Sequence, residues 1–279
     1  MTGPGPKAAA VDAHCHVWPA DVGTFPVAPG VSAAARHPEG YPIETHRSRL
    51  ARLGIDAAVL VPHIAYYGRD LRYALECRQR YPGEYAVLGA ITAGEVADPS
   101  RLAGNLRQGV RAFRIRAADL MQPLATLCGF LADNGCVLCP LVSPEQARNG
   151  RLARVLAIAR ENPALPVVLD HFGGAGGPDA MQTLAAIADL PNVSVKVSGF
   201  DAFDRPPYAL ARRLAVEACA RFGADRLMWG SDMPVFELGG GHDLEVAFLA
   251  VDQAPDLTPR QKDAVLGGTA RRIFFSAPA

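Results

Sequence analysis

Close to the start of the chain, Asp12-Ala13-His14-Cys15-His16 closes a short apolar run. Later apolar runs end in Asp170-His171-Phe172-Gly173-Gly174 and in Trp229-Gly230-Ser231-Asp232-Met233-Pro234. Side chains alternate along a strand, so His14 and His16 point to the same side and their imidazoles converge. Converging imidazoles either chelate a divalent cation or grip one oxyanion as neutral donors. An H-x-H pair alone is equally well explained as two polar loop histidines. Its recurrence with His171 and Asp232 at other strand ends points instead to one shared catalytic site, and the glycines after His171 allow a ligand to come close.

Short apolar runs bounded by Pro, Gly, Asp or His alternate with stretches of helical periodicity, the pattern of a parallel sheet. Eight strands are expected: Ala9 to Ala13, Ala57 to Val61, Tyr85 to Ile91, Val110 to Ile115, Val137 to Val142, Pro166 to Leu169, Val193 to Val197 and Leu227 to Trp229. Between them, Pro144 to Glu161 and Tyr208 to Phe222 read as amphipathic helices. Strand spacings of roughly 25 to 30 residues are the length of one βα unit, and eight units close a TIM (β/α)8 barrel. The expectation is therefore an α/β fold, a single-domain barrel over residues 1–279. An open doubly wound sheet fits less well, since its first strand would lead into a Gly-rich nucleotide-binding turn rather than His-Cys-His. The Pro- and Gly-rich pieces 19–40, 173–178 and 239–241 follow strand ends and read as active-site loops.

Composition narrows the partner. The 28 basic and 28 acidic residues cancel, so no summed field favours nucleic acid or an anionic membrane, and a small molecule is expected. Residues 1–10 lack the charged start and apolar core of a signal peptide, and no apolar run approaches a membrane span. Six dispersed cysteines, Cys15, Cys77, Cys128, Cys136, Cys139 and Cys219, read as reduced thiols of a cytoplasmic protein without disulfides. The C-x-x-C of Cys136 and Cys139 crosses an apolar stretch with no second pair, and reads as core.

These motifs resemble the amidohydrolase superfamily, and within it the amidohydrolase-related TIM-barrel hydrolases. The likeness spans nearly the whole chain through DAHCHVW, GVRAFRIR, VVLDHFGG, VSVKVSG, RLMWGSDMP and the closing VLGGTARRIF. Thr269 departs from the Asn common in that closing segment, in a helix away from the site. The start HCHVW followed by FPVAP looks most like 2-pyrone-4,6-dicarboxylate lactonases and related lactone hydrolases. That resemblance implies a hydrolase opening a small cyclic ester, with Asp232 as the general base that activates water. His14, His16 and His171 would then polarise the carbonyl and hold the oxyanion.

Metal-dependent relatives place a His at the end of the fifth strand, where this chain reads Cys139-Pro140-Leu141-Val142-Ser143. A metal-independent mode is therefore favoured. His14, His16 and Asp232 nonetheless remain a ligand set for one zinc or manganese ion, with His171 as a candidate fourth ligand. Arg114 and Arg116 share a strand face, and Arg205 follows the seventh strand; these arginines, together with His63 at the second strand end, are candidate substrate contacts. Two arginines would favour a carboxylated substrate. His242 and Glu237 fall in the last loop, His37 and His46 are expected at the surface, and Lys196 is as readily a structural ion pair as a functional group. The alternative function is a metal-dependent non-oxidative decarboxylase of an aromatic or muconate-like acid, against which the missing fifth-strand His argues. A catalytically dead binding protein would not need all four polar residues. Whether the chain forms a homo-oligomer is left open by the sequence.

Overall fold

The structure, a computed structural model, describes residues 9–96, 98–174 and 180–276. Residues 1–8 and residues 175–178 of the Gly-rich 173–178 loop lie outside them. Eight parallel strands are hydrogen-bonded in chain order: β1 (Ala10–Cys15), β2 (Ile55–Leu60), β3 (Tyr85–Ile91), β4 (Ala112–Arg116), β5 (Val137–Leu141), β6 (Val167–Leu169), β7 (Val193–Val197) and β8 (Leu227–Trp229). Helices fill the connections, as a (β/α)8 barrel requires.

Hydrogen bonds from the C-terminal end of β1 and the residue after it to the segment that follows β8 join the sheet's edges. Asp232 donates its backbone N–H to the His14 carbonyl at 2.7 Å, and His16 donates to the Met233 carbonyl at 2.7 Å. Asp12 reinforces this seam, its carboxylate accepting from the Ser231 N–H at 2.8 Å and the Ser231 hydroxyl at 2.5 Å. Gly230 permits the close approach, since a Cβ there would lie 2.7 Å from the Cβ of His14. A register irregularity between Asp12 and Cys15 shifts which side chains face inward. Val11 and Ala13 pack in the apolar barrel interior below it, Cys15 packs in the outer core, and His14 and His16 meet other inward-facing groups above it.

The inner core is small and aliphatic, built from residues such as Val59, Leu88, Val137, Val168 and Met228, with Ala270 and Phe274 of the last helix packed against it. That helix runs over residues 259–275 and holds Thr269, buried, its hydroxyl donating to the Ala224 carbonyl at 3.2 Å. The helix expected over 144–161 is two: Pro144–Arg148, opened by a Ser143 capping box, and Arg151–Glu161. Gly150 separates them in a left-handed conformation (φ 83°) that ends a helix. All six cysteines are buried and free, with Cys136 in the outer core and Cys139 in the inner one. Among the described residues no helix is long and apolar enough to cross a membrane.

Candidate active site

The histidines and Asp232 meet at the C-terminal mouth of the barrel, where the loops of this fold build their sites. Nε2 of His14 and Nε2 of His16 face Oδ1 of Asp232 at 3.4 and 3.3 Å, and Nε2 of His171 lies 3.9 Å from its Oδ2. The ring of His14 sits 5.2 Å from that of His16 and 4.7 Å from that of His171. His171 and Asp232 both adopt left-handed backbone, φ 50° and 59°. That conformation is costly for residues with a side chain and is concentrated where function demands it.

Each imidazole is oriented from behind. His16 donates Nδ1–H to the Val61 carbonyl at 2.8 Å, which leaves the lone pair of Nε2 turned toward Asp232. Nδ1 of His14 lies 3.2 Å from Oδ1 of Asp170, whose other oxygen accepts from Arg114 at 2.7 Å. Arg114 Nη2 also lies 3.2 Å from Nε2 of His14. Lys196, fully buried, sets its ammonium 3.0 Å from Asp170 and 3.3 Å from Nδ1 of His14. His171 pairs through Nδ1 with the Ser198 hydroxyl at 2.9 Å, over Gly199, where a Cβ would lie 2.6 Å from that same nitrogen.

Burial, reinforced by Lys196, holds His14 well below the usual imidazole range. Burial and then Arg114 take His16 down to about 3, and burial lowers His171 as well. All three rings are therefore neutral at pH 7. Burial raises Asp232 above an ordinary aspartate, which makes it a stronger base once ionised. Burial alone would raise Asp170 too, but Lys196, His14 and Arg114 together outweigh it and keep that carboxylate ionised.

The remaining sequence-level candidates fall at different depths. His63 lines the mouth beside His16, with ring centres 5.3 Å apart, stacked on Tyr66 at 4.0 Å, and its buried Nδ1 has no partner. Arg114 stands inside the barrel, whereas Arg116 is half-exposed at the rim, 3.7 Å from Asp119. Arg205 is exposed and donates to the carbonyls of Asp201 and Asp204. Cys139, midway along β5 in the inner core, has a thiol that burial pushes up to about 12, so it is not a ready thiolate ligand. His46 corrects the surface expectation: it is fully buried, with Nε2 3.4 Å from Asp12 and Nδ1 3.2 Å from the Tyr41 hydroxyl, tying its helix to the seam. In the last loop, Glu237 pairs with Arg49 and His242 with the Tyr208 hydroxyl at 3.3 Å.

Asp170 and Asp12 were not singled out from the sequence. Alternation along β6 would place Asp170 opposite His171, but the left-handed turn at His171 brings both to the site. Both aspartates precede a motif histidine, Asp12 by two positions and Asp170 by one, and that adjacency was the available signal.

The model of the family described as Amidohydrolase matches residues 11–275. The chain belongs to the amidohydrolase family. It is 31% identical over 248 residues to an L-fucono-1,5-lactonase of Burkholderia ambifaria, covering 81% of this chain and 82% of that one. It is 27% identical over 240 residues to a 4-sulfomuconolactone hydrolase of Rhizobium radiobacter, covering 80% and 75%. Among solved structures, a proposed 2-pyrone-4,6-dicarboxylic acid hydrolase of Pseudomonas putida superimposes with a TM-score of 0.74 at 26% identity, over 96% of this chain and 98% of that one. An amidohydrolase of Burkholderia multivorans solved with bound zinc gives 0.74 at 25% identity, over 97% and 100%. With this family membership the chain is an enzyme, a hydrolase.

Proposed function

We propose that this amidohydrolase is a lactonase that opens a small cyclic ester by attack of an activated water. The observation that carries the reading is the carboxylate of Asp232 ringed by three neutral histidines, His14 and His16 buried and His171 partly so. The kinship to two lactone-opening enzymes supports it. Asp232 takes a proton from the attacking water. As the carbonyl carbon becomes tetrahedral, negative charge grows on its oxygen, and Arg114, through the Nε–H that has no partner, and His171 are the donors available to meet it. Asp170 and Lys196 keep His14 oriented and neutral. A carboxylate on the substrate would be met by Arg116 and Arg205 at the rim, with His63 beside the reacting group, since Arg114 is already committed to Asp170.

His14, His16 and Asp232 fit one divalent cation by donor type, because three ligand atoms converge within 4.8 Å of one another and His16 offers a free lone pair. A bound zinc or manganese ion would supply Lewis-acid polarisation and a more acidic water. Arg114 is the competing positive group, since its N–H already addresses the lone pair of His14. That contact supports the metal-independent mode, in a cytoplasmic enzyme with reduced thiols.

The test is proton release from a panel of neutral and carboxylated five- and six-membered lactones, before and after chelation, with metal content measured on the same sample. Lactone opening is expected, and chelator-resistant turnover by metal-free protein establishes the metal-independent mode. Decarboxylation of an aromatic acid with no lactone opened would overturn the reading.

A further inference from the structure

The turn after β7 carries a second carboxyl that the scheme above does not use. Asp201 lies in the helical turn Phe200–Ala202, three residues beyond Ser198, which holds His171. The same turn packs against Val235–Leu238, the segment that follows Asp232. Two contacts therefore tie this turn to the reaction centre. Its Oδ1 is buried and has no hydrogen-bond partner. Arg205, the nearby cation, spends its hydrogen bonds on the Asp201 and Asp204 carbonyls rather than on this carboxylate. A buried carboxyl oxygen without a partner is costly, and it is satisfied either by its own proton or by a donor that arrives with the substrate.

Burial, and then the charge of Asp232, raise the Asp201 carboxyl to about 6, against the opposing pull of its own backbone N–H, His242 and Arg205. Tyr208 is the other titratable group coupled to it. A carboxyl raised to about 6 beside the charge of Asp232 keeps its proton closer to neutral pH than an ordinary aspartate does, as a general acid must.

We infer that Asp201 is the general acid that protonates the ring oxygen as the lactone opens, an assignment that rests on the lactonase reading. Water oxygen bonds to the carbonyl carbon while Asp232 takes one water proton. When the tetrahedral carbon collapses, the bond to the ring oxygen breaks and its electron pair stays on that oxygen. The Asp201 proton moves there to give the free hydroxyl. The product is a hydroxy acid, and the proton held by Asp232 returns Asp201 to its starting state by way of solvent.

The experiment compares Asp201→Asn with the wild type on two lactones, an aliphatic 1,5-lactone that expels an alkoxide and dihydrocoumarin, which expels a phenolate. Alkoxide departure needs the proton and phenolate departure does not. The expected result is a fall in kcat of about 10²-fold or more on the aliphatic lactone, with dihydrocoumarin turnover close to wild type and therefore also reporting an intact site. Asp201→Glu should recover part of the aliphatic rate. Equal losses on both lactones, or no loss on either, would overturn the assignment while leaving the lactonase reading in place. A wild-type protein that opens neither these nor any other lactone would instead overturn the reading itself, and the assignment with it.

Discussion

Asp232 is joined to His14 twice, by its backbone N–H on the His14 carbonyl at 2.7 Å and by its carboxylate facing the His14 ring at 3.4 Å. The bond that closes the barrel thus also sets the distance between base and imidazole. Geometry at the seam and chemistry at the mouth should fail together.

Ser231→Ala tests that coupling. The hydroxyl donates to Asp12 at 2.5 Å in a fully buried setting and also accepts from the Met233 N–H at 3.0 Å. Its removal leaves a buried carboxylate oxygen short of a donor and should cost about 1–3 kcal/mol in chemical denaturation. Lactone turnover should drop in the same variant. A loss of stability with turnover unchanged would separate seam from site.

Lys196→Met should be more damaging than its distance from the mouth suggests. Asp170 would keep Arg114 but lose the ammonium at 3.0 Å, leaving a buried carboxylate undercompensated. Breaking a buried pair from one side costs about 3–5 kcal/mol. Urea unfolding measures it, and a change below about 1 kcal/mol would mean that the cluster relaxes around the loss.

Much of this was open to sequence reasoning. The expected β3, β7 and β8 coincide with the observed strands, because continuous apolar runs between turn residues leave little freedom in where a buried parallel strand begins. His14, His16, His171 and Asp232 were legible for the same reason: each polar residue interrupts the end of such a run. Asp170 was harder, since its place at the site depends on the left-handed residue that follows it, which alternation cannot foresee; Lys196 sits on a regularly paired strand, and only the choice of which face of β7 turns inward was open. His46 misled because a histidine in a charged helix looks solvated, and only the position of Asp12 explains its burial. Nor does spacing reveal that Arg116 ends half-exposed while Arg114, two residues earlier, is buried.

Acid should destabilise the protein well above the range where carboxylates titrate. His16 and His63 fall from 6.5 to about 3 on folding, chiefly through burial. The unfolded chain therefore binds more protons between those values. Their contribution is fully present above pH 6.5 and is lost as pH falls toward 3, about 2 kcal/mol for each by pH 5. Asp201, raised to about 6, works in the opposite direction but is one partly buried group. Denaturation midpoints at pH 7.5, 6 and 5 should decline in that order. A flat series would show that the rings titrate normally.

Arg114→Met isolates the positive charge beside His14. Turnover should fall about 10²-fold with KM little changed, because the guanidinium, set beside His14 inside the barrel, is assigned to the growing oxyanion rather than to the distal parts of the substrate. A rise in KM with kcat preserved would reassign Arg114 to ground-state binding.

The most direct measurement is lactone turnover by Asp232→Asn alongside equilibrium binding of the hydroxy-acid product. The amide keeps the size and backbone bonds of the side chain but cannot take a proton. The account predicts that kcat falls by about 10³-fold while product affinity stays near wild type; turnover within about twofold of wild type would contradict Asp232 as the base.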